Sequence, residues 1–219
     1  MSTTAEPPDA SESVKRAERA SDAAGSPARV RVGVLLAQPP EDLGGWLADA
    51  AAFDAAGADA LWVDTAGDAQ LDPLAVTAAL ATLTFRSLLV VALPEGSGGS
   101  PARARTLATI GRLSRGRLAL CGERGQLASV AAAAGDRVPP QLFYRVDGGA
   151  FQRTRAGGEP ERWMRTASPD GRVAWRAAIA DAAERRVGGL LVPAGPRLLD
   201  ILRNPDTPGD RHDLHLAQG

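Results

Sequence analysis

The feature that most constrains the fold of this chain is a regular alternation of short apolar segments with segments of helical periodicity. Four apolar segments have the length and composition of strands that are buried on both faces. They are Val30–Leu36, Ala60–Asp64, Ser87–Leu93 and Arg117–Cys121. A helical pattern follows each of them, and two of these helices are predicted to start at Asp72-Pro73 and Ser100-Pro101, a capping residue followed by proline. Four strand–helix units in succession predict a parallel α/β architecture.

The second half of the chain has a less regular pattern. The segments Leu142–Val146 and Ala150–Arg155 flank Asp147-Gly148-Gly149, a sequence typical of a β-hairpin turn. Trp163 lies in a short extended piece of an otherwise irregular segment. A helix from Ser168 to Arg186, a buried strand over Gly189–Val192 and a short helix over Pro196–Arg203 complete the prediction.

Composition excludes several classes of protein. The chain has 25 basic and 26 acidic residues and a net charge of -1, which argues against nucleic acid or an anionic membrane as a partner. One cysteine, Cys121, excludes an internal disulfide and a cysteine-rich zinc site, and its apolar strand predicts a core residue. No apolar run approaches the roughly 20 residues that span a bilayer. With no apolar signal-peptide core at the N-terminus, we expect a cytoplasmic protein.

The two ends of the chain are predicted to lie outside the folded domain. Residues 1–28 are polar and rich in Ala, Ser, Pro and Glu, which predicts a disordered tail, and residues 204–219 predict a flexible one. The domain itself is therefore expected over residues 29–203. His212 and His215 are spaced for one helical turn, but their polar tail makes metal binding the weaker interpretation, and we expect no metal.

Three motifs occur in order between Arg29 and about Gln126. The first, Ala55-Ala-Gly-Ala-Asp-Ala-Leu-Trp-Val63, ends the first helix and runs into the second strand. The second, Leu71-Asp-Pro-Leu74, opens the next helix, and the third, Leu113-Ser-Arg-Gly-Arg117, leads into the fourth strand and a glycine-bearing turn. In this order and spacing they resemble the bacterial-luciferase-like family of flavin- or F420-dependent oxidoreductases. The match covers a little under half of the chain.

The resemblance implies a (β/α)8 barrel that holds FMN or coenzyme F420 at the C-terminal ends of its strands. The implied activity is a monooxygenase or hydride-transfer reaction on a small organic substrate. Because about 190 folded residues are fewer than the roughly 250 of a typical barrel, we expect a reduced or incomplete barrel with a β-hairpin insertion in its second half.

The cofactor-binding residues are predicted in the turn after the fourth strand. These residues are Gly122, Glu123, Arg124 and Gly125, and the resemblance implies that Arg124 holds the cofactor phosphate. Physically, a guanidinium offers paired donors, and the amides of a helix N-terminus favour an anion. The alternative, that Arg124 is a solvated loop residue paired with Glu123, stays open. Pro94, at the end of the third strand, is expected to face the cofactor ring.

Substrate and catalytic residues are predicted from the other strand ends. Gln38 and Trp163 are expected to contact the substrate. Asp64 is a weak candidate for a catalytic acid or base, and its other interpretation is a cap or turn former. The luciferases proper have a catalytic histidine just past the second strand, whereas this chain has Asp64-Thr-Ala-Gly67. Luciferase chemistry itself is therefore not expected.

A second function class remains open, a non-catalytic relative that stores flavin or serves as an interaction module. The missing histidine and the bulky third strand, Leu89–Ala92, favour it. Gly96–Ser100 lacks the features of a phosphate-binding loop and is expected to be a flexible loop over the site. The arginine-rich hairpin is expected to be solvated or to contact an anion or another subunit. Its members are Arg145, Arg153, Arg155, Arg162 and Arg165. Monomer and homodimer are both open.

Overall fold

The computed structural model describes residues 29–36, 42–63, 71–134, 141–154 and 159–205. The predicted tail over residues 1–28 lies outside this part of the chain, as do residues 206–219 of the other tail. The site candidates Gln38 and Asp64 and both histidines also lie outside the described residues.

Eight strands form a closed barrel in which each strand pairs with the next and the last pairs with the first. They are β1 (Arg31–Leu36), β2 (Ala60–Val63), β3 (Leu88–Ala92), β4 (Leu118–Gly122), β5 (Gln141–Val146), β6 (Ala150–Thr154), β7 (Glu161–Arg165) and β8 (Gly189–Pro193). All pairings are parallel except those that β6 makes with β5 and β7, which are antiparallel. The predicted α/β barrel is confirmed.

The described residues contain six α-helices, which lie outside the barrel wall. They are α1 (Leu43–Ala55), α2 (Pro73–Leu83), α3 (Pro101–Leu113), α4 (Arg124–Ala134), α5 (Arg172–Glu184) and α6 (Pro196–Arg203). The predicted caps are confirmed, because the side chains of Asp72 and Ser100 accept hydrogen bonds from the first-turn N–H groups of α2 and α3. Helix α5 begins at Arg172 rather than at Ser168, because Gly171 at its N-cap has a φ of 89°.

The barrel is reduced in helices rather than in strands. A turn over residues 147–149 joins β5 to β6, and only residues 155–160 separate β6 from β7. Both connections are shorter than the ten or more residues of an ordinary helical crossover. The hairpin is therefore not an insertion: it supplies two strands of the wall, and the barrel is complete in strand number.

The segment around Trp163 is a regular strand, which corrects its interpretation as irregular. Trp163 belongs to the buried cluster inside the barrel. Since side chains alternate along a strand, Glu161 and Arg165 share its inner face, and Arg162 and Met164 lie on the outer one. Charged residues at both ends of the inner face hide the usual apolar alternation in the sequence.

Four aromatic rings fill the barrel interior. Trp62 lies at its centre, 4.9 Å from Phe143, 4.7 Å from Phe151 and 6.2 Å from Trp163 between ring centroids. The other inward residues of β3 and β4 are small or medium-sized, among them Ala92, Ala119 and Cys121. The rings from β2, β5, β6 and β7 thus occupy the space that the small inward residues of β3 and β4 leave.

Glycines in β1 and β8 make room for the indole of Trp163. A Cβ atom at Gly189 would lie 2.4 Å from Cδ2 of Trp163, and one at Gly33 would lie 2.8 Å from its Cζ3. The ring therefore packs directly against the backbone of two neighbouring strands. The indole N–H groups of Trp62 and Trp163 are buried and have no hydrogen-bond partner among the described residues.

At the N-terminal end of the barrel, Asp54 and Arg117 hold the loop over residues 84–87. The carboxylate of Asp54 accepts three hydrogen bonds of 2.7 to 3.0 Å from the N–H groups of residues 85–87. The guanidinium of Arg117 donates to the carbonyl oxygens of Thr84, at 2.6 Å, and Ser87, at 2.7 Å. These bonds connect α1, the loop before β3 and the start of β4.

The Leu113–Arg117 motif ends helix α3 and supplies Arg117, which holds the loop over residues 84–87. Gly116 has a φ of 80°, and its N–H donates to the carbonyl of Gly111 at 2.8 Å, a bond that ends α3. Arg117 follows at once. The motif on which the family resemblance partly rests is therefore at the barrel end opposite to the C-terminal strand ends, the end that serves stability rather than ligand binding.

A second polar cluster closes the same end from inside the barrel. Glu161 accepts hydrogen bonds from Arg31 at 3.1 Å and from Arg153 at 3.3 Å. Arg153, which is 3% exposed, also donates to Gln141 and lies 5.6 Å from the ring of Phe143. Arg153 is therefore a structural ion-pair partner and not one of the solvated arginines of the hairpin.

Candidate functional site at the barrel mouth

The C-terminal ends of the seven parallel strands meet at one end of the barrel, here called the mouth. Since β6 runs the opposite way, the β5–β6 turn also lies at this end. The loops after β3 and β4 and the hairpin turn therefore surround the same opening. In parallel barrels this is the end at which ligands bind.

The predicted cofactor turn is shorter than the sequence suggested. Gly122 is the last residue of β4, and Arg124 and Gly125 already belong to the first turn of α4. Only Glu123 lies between strand and helix, and its carbonyl accepts from the N–H of Leu127 at 2.9 Å. Because α4 begins directly after the C-terminal end of β4, its N-terminus lies at the mouth.

Gln126 connects the loops after β3 and β4. Its Nε2 donates to the carbonyl of Pro94 at 2.6 Å, and its Oε1 accepts from the N–H of Glu123 at 3.4 Å. A Cβ atom at Gly122 would lie 2.5 Å from that Oε1, so the glycine makes room for the contact. Three of the predicted residues, Pro94, Gly122 and Glu123, are thus brought together around a side chain that was not predicted. The missed signal is a glutamine three residues after the N-cap, the spacing of a capping box.

The glycine loop after β3 is attached to α4. The N–H of Gly99 donates to Oγ of Ser129 at 3.1 Å, and the carbonyl of Gly98 accepts from Arg103 at 2.5 Å. A Cβ atom at Gly99 would lie 2.4 Å from the carbonyl oxygen of Ser129, so only glycine allows this approach. The loop that was expected to lie over the site is therefore fixed at both of its ends, at Gln126 and at Ser129.

Arg124 lies on the ring of Tyr144 at the N-terminus of α4. Its Cζ is 4.6 Å from the ring centroid, within the range of a cation–π contact. Among the described residues, its guanidinium has no ion pair with Glu123 or with any other acid. No described side chain accepts from the backbone N–H of Arg124 or Gly125 either. No described acid or side-chain acceptor thus competes with an anion for this guanidinium and these amides.

Two further arginines lie at the hairpin side of the mouth. Arg145 pairs with Phe151 across the antiparallel ladder, and such residues project from the same face of the sheet. Phe151 belongs to the interior cluster, so Arg145 is on the inner side. From β7, the guanidinium of Arg165 lies 5.6 Å from the centroid of the same ring. Arg124, in contrast, stacks on Tyr144, whose side chain belongs to the outer layer of the wall.

Trp163 is not at the mouth. Its side chain is 0% exposed and packs between Trp62, Phe143 and the two glycines, so a substrate could reach it only by displacing other rings. Its contact with a substrate stays a prediction, as do the substrate contact of Gln38 and the catalytic role of Asp64.

The described part of the mouth has no histidine that could transfer a proton. Both histidines of the chain are at positions 212 and 215, so the barrel over residues 29–205 has none.

Among the described residues no three His, Cys, Asp or Glu side chains are grouped as metal ligands would be. The described part of the chain also has no helix long and apolar enough to cross a membrane.

No family model matches the chain, and no curated protein matches it. Among the solved structures that are similar to this chain, two share 14% sequence identity with it. One is an F420-dependent secondary alcohol dehydrogenase in complex with an F420-acetone adduct, with a TM-score of 0.38 over 76% of this chain and 59% of that one. The other is a type II Baeyer-Villiger monooxygenase, the oxygenating constituent of 3,6-diketocamphane monooxygenase from the CAM plasmid of Pseudomonas putida, in complex with FMN. Its TM-score is 0.36, over 74% of this chain and 57% of that one. The chain thus spans less than two thirds of the length of either protein.

Proposed function

We propose that this chain binds FMN or coenzyme F420 at the barrel mouth and acts as a luciferase-like oxidoreductase on a small organic substrate. The observation that carries the proposal is Arg124, a cation without an acidic partner among the described residues, beside the unpaired amides that open α4. This is the chemistry that a phosphate group requires. It lies at the barrel end where the sequence resemblance implies the cofactor.

The residues of the mouth fit such a group. Arg124 and the amides of Arg124 and Gly125 would hold its phosphate. Because the aromatic rings fill the interior, the cofactor ring system would lie across the mouth, over the ends of β3 and β4, where the inward residues Ala92 and Cys121 are small. When bound, the cofactor would supply hydride transfer or oxygen activation, chemistry that side chains do not provide.

The chain's own residues would bind and orient the cofactor and the substrate, and they would exclude water. The Gln126 contact would hold Pro94 next to the phosphate-binding turn, and the anchored loop over residues 94–100 would limit access of solvent. Asp64 directly follows β2 and would be the group that holds or releases a proton. A cytoplasmic location stays a prediction, and monomer and homodimer both stay open.

The test is a titration of the purified apoprotein with FMN and, separately, with F420. We expect saturable binding of one of them, weakened about tenfold or more in Arg124→Ala because a charged pair is lost. The matched control is Arg112→Ala, which removes an exposed arginine from the last turn of α3. If neither cofactor binds, the proposal is wrong.

The second candidate is a relative that carries the cofactor without catalysis. The absence of histidine from residues 29–205 favours it. The two functions are separated by incubating the loaded protein with NAD(P)H or a reduced F420 donor. Reduction of the bound cofactor supports the oxidoreductase, whereas binding without reduction supports the carrier.

A further inference from the structure

Two arginines border one aromatic ring on the inner side of the mouth. Phe151 is 5% exposed and belongs to the part of the packed interior that lies nearest the mouth. The Arg165 guanidinium lies over its ring, and Arg145 is its cross-strand neighbour on the same face. Both arginines are exposed, and each is on a strand rather than on a long loop. Their backbone positions are therefore fixed by the barrel ladder.

These two arginines are separate from the proposed phosphate site. Tyr144 and Arg145 are consecutive in β5, so their side chains leave opposite faces of the wall. Arg124 stacks on Tyr144 at the outer face, whereas Arg145 and Arg165 border the inner opening. The two places are therefore on different faces of β5. Arg145 makes no ion pair with Glu123 or with any other described acid.

We infer that Arg145 and Arg165 bind a carboxylate of the substrate, whose apolar part lies on Phe151. The inference rests on the proposed function, since it assigns a substrate class to the same mouth. A planar carboxylate can accept paired hydrogen bonds from a guanidinium, and the two arginines come from strands on either side of β6. The adjoining surface is aromatic and aliphatic, with Leu35 and Ala92 beside the ring cluster. An organic acid with an apolar body matches both features.

The experiment uses benzoate as the carboxylate probe and benzamide as its neutral isostere. Binding of each to the purified protein is measured by calorimetry, both with and without saturating cofactor. We expect benzoate to bind and benzamide to bind at least about tenfold more weakly, because the charged hydrogen bonds are absent. Arg145→Gln and Arg165→Gln should each weaken benzoate binding about tenfold or more, and Arg145→Lys should weaken it less.

The controls separate this inference from the proposed function. Arg112→Gln should leave benzoate binding unchanged, and circular dichroism of every variant shows whether it is folded. FMN and F420 titrations of the same variants give the second readout. Unchanged cofactor affinity together with weaker benzoate binding supports the inference. An equal loss of both affinities assigns the two arginines to the cofactor phosphate and overturns it. Benzoate binding that equals benzamide binding also overturns it. Benzoate binding that survives where neither cofactor binds removes the proposed function and leaves a carboxylate site.

Discussion

Asp54 and Arg117 hold the same four-residue loop through different backbone groups: Asp54 accepts from the N–H groups of the loop, and Arg117 donates to its carbonyl groups. The loop, residues 84–87, connects α2 to β3 at the N-terminal end of the barrel. Burial lowers the pKa of Arg117, and the nearby charge of Asp54 opposes that effect. The pair thus stabilises the end of the barrel that carries no proposed site.

Replacing Arg117 tests whether the motif over residues 113–117 is structural. Arg117→Met keeps most of the apolar stem but leaves the carbonyl groups of Thr84 and Ser87 without their donors. We expect a loss of about 2–4 kcal/mol in the free energy of unfolding, measured by urea denaturation. The folded variant should bind the cofactor as the wild type does, since the mouth is at the other end. A selective loss of cofactor binding with unchanged stability would place the motif in the site instead.

The pH dependence of stability follows from Asp54. Burial alone would raise the pKa of its carboxyl, but the hydrogen bonds from Ser87, Phe85 and Arg86 hold that pKa below its ordinary value. The charged form therefore stabilises the fold fully above the unfolded pKa of about 3.9, and this contribution is lost as pH falls through the lower folded-state pKa.

The measurement compares wild type with Asp54→Asn in urea at neutral pH and at about pH 3. At neutral pH the variant should be less stable by about 1–3 kcal/mol, and the difference should shrink at the lower pH. Asp181→Asn is the control, because among the described residues the side chain of Asp181 pairs only with Arg185, on the exposed surface of α5. A difference that stays constant over this pH range would contradict the assignment to Asp54.

The barrel could be predicted from the sequence where each strand is apolar on both faces. The first four strands and β8 have this pattern, and the Asp147-Gly-Gly turn marks β5 and β6. Strand β7 was missed as a regular element because its inward positions carry Glu161 and Arg165 at the two ends of the barrel. Glu161 pairs with Arg31 and Arg153, which come from other strands. Only the strand register brings the three side chains together.

The packing of Trp163 against Gly189 gives a prediction on the barrel interior. In Gly189→Ala the new Cβ would lie 2.4 Å from the indole, so either ring or strand has to move. We expect a destabilisation of about 1–3 kcal/mol or more. Combining it with Trp163→Leu should cost less than the sum of the two single changes, because the smaller side chain removes the clash.

Gly98→Ala is the matched control for this pair. A Cβ atom at Gly98 would meet nothing within 4 Å, so the change should leave the unfolding midpoint nearly unchanged. Purely additive effects of Gly189→Ala and Trp163→Leu would show that the two residues do not share the space inferred from the structure.

The stacking of Arg124 on Tyr144 gives a prediction on the proposed phosphate site. Tyr144→Leu removes the aromatic face that holds the guanidinium, and we expect two- to fivefold weaker cofactor binding, about 0.5–1 kcal/mol. Tyr144→Phe keeps the face and should bind as the wild type does. Both are measured by titration of the apoprotein. Equal weakening in the two variants would assign the effect to the hydroxyl group and not to the ring.

The site was less predictable than the fold because its contacts cross between loops. The turn after β4 and Pro94 were recognisable as strand ends, but their connection through Gln126 required the three-dimensional arrangement of β3 and β4. The two sides of β5 also could not be assigned a function from sequence. Only the closed barrel shows that Tyr144 faces the helix layer and Arg145 the opening.

The connection through Gln126 gives the last prediction. Gln126→Ala removes the bond to the Pro94 carbonyl and the acceptor for the Glu123 N–H, while the helix itself keeps a good helix former. We expect the amides of residues 96–99 to exchange hydrogen faster by about tenfold, since a lost hydrogen bond of about 1.4 kcal/mol corresponds to that factor in the opening equilibrium. Hydrogen exchange followed by mass spectrometry measures the effect, and α1 should exchange unchanged. Thr109→Ala, on the exposed side of α3, is the control. If the loop exchanges as in the wild type, Ser129 alone holds it, and the double variant with Ser129→Ala should then release it.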